Sequence, residues 1–88
     1  MEVLREHSAS GGPGTAPCSI ILVRRETSFE PFVVWYRNYE NPERPWNFQG
    51  RYCLDQEEAE AEFNRRLQVE QRRAQAHGWA DIPQQVSA

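Results

Sequence analysis

The segment Trp46–Arg66, WNFQGRYCLDQEEAEAEFNRR, changes its hydrophobic period within a few residues, and this constrains the fold more than any other feature of the chain. Trp46, Phe48, Gly50 and Tyr52 alternate with Asn47, Gln49, Arg51 and Cys53 at the two-residue repeat of a strand. From Asp55 onward, Ala59, Phe63 and Leu67 recur every four residues, as on one face of a helix. A strand that runs straight into an amphipathic helix implies an α+β unit, with the helix folded back on a sheet.

Both ends of that helix carry signals. Asp55 is a good N-cap, and Glu58 three residues later completes an acidic capping box. Glu57, Glu58, Glu60 and Glu62 load the first two turns with negative charge, and Arg65, Arg66, Arg72 and Arg73 load the second half with positive charge. This complements the helix dipole and allows Glu62 to pair with Arg65 or Arg66. Gly78 suits the left-handed residue that ends a helix, with His77 in the last turn, Trp79 folding back on Ala74, and Pro83 beyond. The helix is therefore predicted over about residues 56–77.

Upstream, Ser19–Arg25 is a continuous apolar run ended by charge, which suits a strand covered on both sides or lying centrally. Phe32–Tyr39 is dense in β-branched and aromatic residues and reads as a second strand, with Trp46–Cys53 the third. The connections ETSFEP and ENPERP are polar and carry prolines. The expected fold is α+β: a three-stranded antiparallel sheet, as a meander or with the first strand central, packed on one long C-terminal helix. Residues 8–17 hold three Gly and two Pro, so residues 1–17 are expected to be a flexible, disordered N-terminal tail. Residues 18–82 form the single small domain, and 83–88 a disordered C-terminal tail. A unit of about 65 residues buries only about 60% of its unfolded surface, so help from a partner or a second copy is expected.

Thirteen acids against ten bases leave a formal charge of −3, which gives no broad electrostatic case for nucleic acid. All ten bases are Arg, whose planar fork suits carboxylates, phosphates and aromatic stacking. No stretch approaches the roughly 20 apolar residues of a membrane span, and MEVLREH has no apolar run of a signal peptide. The expected setting is the cytoplasm, with Cys18 and Cys53 as reduced, small hydrophobes; a disulfide would require the first and third strands to be neighbours. Cys18, Cys53, His7 and His77 lack the close spacing of zinc ligands, so neither metal nor cofactor is expected.

Alternation sorts the strand residues into two rows. Phe32, Val34 and Tyr36, with Trp46, Phe48, Gly50 and Tyr52, are expected to meet the helix, and Gly50 leaves room for Phe63. The opposite face is then the candidate partner-binding surface: Trp35, Arg37, Tyr39, Asn47, Gln49 and Arg51. Amphipathic rings beside Arg forks and amides have the composition of binding hot spots. An ordinary wet sheet face is the bland reading. A single-stranded nucleic-acid platform is the rival, because aromatics and Arg also stack bases.

Catalysis is not expected. General acid–base work needs a positioned His, Glu or Asp in a cleft, whereas His7 falls in the expected tail and the helix acids read as capping and solvated. No phosphate loop or nucleophile elbow is present. The aromatic strand, the Gly50-x-Tyr52 step and the capped Glu-Ala helix, covering residues 32–66, are similar to small orphan proteins of plasmids, integrative elements and phages, some anti-CRISPR inhibitors among them. That resemblance implies an accessory or inhibitor protein that occupies a partner's surface, and it carries over no functional residue. The expected function is a small non-catalytic protein-binding module; its partner is another protein or, as a homodimer, a second copy.

Overall fold

A computed structural model describes residues 1–8, 17–26 and 29–76. Four strands, β1 (Glu2–Ser8), β2 (Cys18–Arg24), β3 (Phe32–Asn38) and β4 (Trp46–Cys53), precede one helix, α1 (Gln56–Ala76). All neighbours are antiparallel, in the order β1-β2-β3-β4. The helix lies across β2, β3 and β4 on one side of the sheet.

The α+β class and the long C-terminal helix agree with the expectation, but the sheet has four strands rather than three. The additional strand comes from the expected N-terminal tail. The reason lies in β2, whose Ile20, Ile21, Leu22 and Val23 are all fully buried. A strand apolar on both faces is stable only when both its edges are paired, and β3 supplies one edge alone. Glu2–Ser8 supplies the other, although only Val3 and Leu4 in it are aliphatic. Residues 9–16 and 77–88 lie outside the described residues, and with them the rest of the expected tail, the C-terminal tail and the helix stop at Gly78.

One core fills the space under the helix. Ile20, Leu22, Val34, Cys53, Ala59 and Phe63 are its buried members, with Leu4, Phe32, Tyr36 and Leu67 packed against them. On the opposite side of the sheet, Ile21, Val23 and Val33 form a second buried cluster with Trp35 against it. That face was expected to carry amphipathic rings, Arg and amides; its centre is apolar because β2 contributes apolar residues to both sides.

The helix start is built as its residues suggest. Asp55 Oδ1 accepts from the Glu58 amide at 2.8 Å, and Glu58 Oε1 accepts in return from the Leu54 amide at 3.3 Å. An N-cap of this kind contributes about 1 kcal/mol.

Candidate interaction surfaces

A bulge in β4 decides which residues share a face. Phe48 pairs with Tyr36 and Arg51 with Val34, so Gln49 and Gly50 together oppose the single residue Trp35. Gln49 takes up the extra residue with a positive φ of 53°. Before the bulge, Trp46 and Phe48 point to the helix side, as expected. After it the rows exchange, so Gly50 and Tyr52 turn away from the helix while Arg51 and Cys53 turn toward it.

Of the six expected surface residues, Trp35, Arg37, Tyr39 and Asn47 therefore share the helix-free face, and Gln49 sits exposed at the bulge. Arg51 does not belong with them: it reaches the helix, 3.4 Å from Glu58 and 4.0 Å from Glu62. Tyr52 takes its place, its ring meeting Trp35 edge-on at 6.0 Å between centroids, with Arg25 stacked over it at 4.8 Å. Gly50 makes room for the Trp35 indole, not for Phe63: a Cβ there would lie 2.8 Å from Trp35 Cδ1 and 3.2 Å from Tyr52 Cε1.

The polar groups of this face are largely tied to one another. Arg37 Nε donates to Asn47 Oδ1 at 2.8 Å. Tyr39, one residue beyond β3, donates its hydroxyl to Glu6 on β1, and its amide bonds Pro17 O at 2.8 Å. Burial, and then the bond to Glu6, push the Tyr39 hydroxyl above its ordinary pKa. The result is a face of fixed groups around a half-buried Trp35.

A bulge in β1, between Val3 and Arg5, has the matching effect on the other edge. It sends Arg5 over the Phe63 ring at 4.2 Å and into contact with Glu60 at 2.6 Å and Asn64 at 3.2 Å. Arginines from both edge strands thus flank the first half of the helix. His7, expected in the tail, is instead a buried residue of β1 with no partner at Nε2 among the described residues.

The helix acids are not all solvated either. Glu62 and Glu70 are buried, one turn on either side of buried Arg66. Glu62 accepts two bonds from Arg65, at 2.8 and 3.0 Å, and one from Arg66 at 2.6 Å. These bonds, Arg65's foremost, hold its carboxyl down at about 2. The Arg66 guanidinium covers the Tyr36 ring at 5.1 Å, and Tyr36 bonds Glu70 at 3.1 Å. Burial and the Glu70 charge push the Tyr36 hydroxyl up to about 12.

From alternation alone, Trp46 and Phe48 are expected under the helix. They do lie on that side, but near the open end of β4: Phe48 is half-buried and Trp46 is 55% exposed. Tyr36, Phe48 and Trp46 make an aromatic step, with centroids 5.5 and 5.0 Å apart. The two-proline turn expected before Trp46 starts β4 at the margin of the sheet, and this leaves Trp46 exposed.

Cys18 and Cys53 are not joined in a disulfide, and their strands are separated by β3. Among the described residues, no group of His, Cys, Asp and Glu is placed to hold a metal ion, and no helix is long and apolar enough to cross a membrane. No protein-family model, curated protein or solved structure matches the chain.

Proposed function

We propose that this chain is a small, non-catalytic protein-binding module that acts by surface contact in the cytoplasm. The observation that carries the reading is Trp35, a half-buried indole seated over Gly50 and braced edge-on by Tyr52. A ring held in one position before binding loses little entropy on contact, which is what makes an aromatic residue a strong anchor. The Arg37–Asn47 pair and Tyr39 border it, and Gln49 is the exposed amide beside it. The resemblance to small mobile-element proteins suggests an accessory or inhibitor role, in which the module covers a surface of its target.

The rival is a single-stranded nucleic-acid binder using the same rings. On this face the forks of Arg25 and Arg37 are engaged with Tyr52 and Asn47, which favours protein. Affinity capture from the source cells with wild type and Trp35→Ala tests the proposal, followed by binding measurements with the captured protein. The expected result is a partner lost with Trp35→Ala, bound with an affinity that changes little between about 50 and 200 mM salt. Oligonucleotide binding that falls steeply over that range, and disappears with Arg37→Ala, would transfer the face to nucleic acid.

A further inference from the structure

We infer that the aromatic step on the helix side of β4 is a self-complementary surface, and that its occupant is a second copy of this chain. This surface is separate from the Trp35 face and does not depend on its function.

Three placements define it. Trp46 is the most exposed aromatic residue within a strand or the helix, and Phe48 and Tyr36 continue it inward under Arg66. Glu58 and Glu62 face β4, as their contacts with Arg51 show, and helical spacing continues that flank through Arg65, Val69 and Arg73. The helix runs antiparallel to β4 and reaches Tyr36 with Arg66 and Glu70, so Val69 and Arg73 come level with Phe48 and Trp46. Val69 on that flank is exposed.

Charge divides around this patch. On the helix side, Arg65 and Arg73 each keep about 60% of the side chain exposed beyond their bonds to Glu62 and Glu70. On the other side, the turn leading into Trp46 carries exposed Glu40 and Glu43, whose carboxylates have no partner among the described residues. A twofold contact centred on Trp46 sets the acids of each copy against the arginines of the other, as an isologous interface requires. A generic acidic or basic partner would satisfy only one side. The apolar centre supplies the adhesion and the charges set the register.

The test is the mass of the full chain by light scattering or sedimentation over a hundredfold dilution, with circular dichroism to confirm folding. Wild type should show a monomer–dimer equilibrium, and Trp46→Ala should weaken it by about tenfold or more. Glu43→Arg and Arg73→Glu should each weaken it, and the double swap should restore association. A monomeric mass at every concentration overturns the inference and leaves the step to a different protein. So does a dimer indifferent to Trp46→Ala and to both charge reversals.

Discussion

Gln49 and Gly50 show how much one inserted residue decides. The extra position exchanges the two faces of β4 beyond it, and Gly50 then accepts the Trp35 indole where any side chain would collide. Gly50→Ala should cost about 1–3 kcal/mol in urea unfolding, the usual penalty for overpacking. In a Trp35→Ala background the same change should cost much less, because the colliding ring is gone. Equal costs in both backgrounds would refute the account. His7 gives a second residue-scale prediction. Burial first, and Arg5 second, hold its imidazole below the ordinary 6.5. The unfolded chain then takes up the proton more readily than the folded one, so stability is full above pH 6.5 and falls as the pH drops below it. Since Nε2 has no partner among the described residues, His7→Leu should leave stability at pH 7.5 unchanged or raised. It should also flatten the dependence of the melting temperature as the pH falls below about 6.5. A steep dependence retained in the variant would place the titrating group elsewhere.

At the scale of the element, the helix is held by a charged network as well as by Phe63. Glu62 is buried, is bonded by Arg65 and Arg66, and has Arg51 within reach. Its carboxyl is depressed from 4.5 to about 2. The sign follows: its contribution is complete above pH 4.5 and is lost as the pH falls toward 2. Glu62→Gln should cost about 3–5 kcal/mol at neutral pH, because it strands the buried Arg66, and should remove most of the acid sensitivity in that window. Arg65→Ala should cost far less, since that side chain is largely exposed. Urea titrations at pH 7 and pH 3 would separate the two, and similar losses for both variants would contradict a buried Arg66–Glu62 pair as the critical contact.

For the whole molecule, β1 is the piece whose removal tests the architecture. It pairs with β2 along nearly its whole length and brings Arg5 onto Phe63. Deleting residues 1–8 should expose the edge of a strand that is apolar on both faces. The expected outcome is loss of cooperative unfolding, or a fall of several kcal/mol in a domain whose total is on the order of 5–10 kcal/mol. Urea unfolding followed by far-UV dichroism would show it. Unchanged stability would mean that β1 is an ornament and that a three-stranded sheet suffices.

The local features of this chain are legible in its sequence. The helix start at Gln56, its cap at Asp55, strands β2 to β4 within one or two residues, and the Glu62 pairing with Arg65 and Arg66 all follow from periods, caps and spacings of four residues or fewer. Trp35, Arg37, Tyr39 and Asn47 sharing a face follows from strict alternation. The β1 strand, the bulge at Gln49, the turning of Arg51 to the helix and the exposure of Trp46 were not legible. Each depends on a partner distant in the chain: β2's need for a second neighbour, the register of β4 against β3, and the margin of the sheet. Local propensity settles which segments are strands or helix. Only pairing across the sheet settles which way a side chain points, because a single extra residue reverses a two-residue repeat.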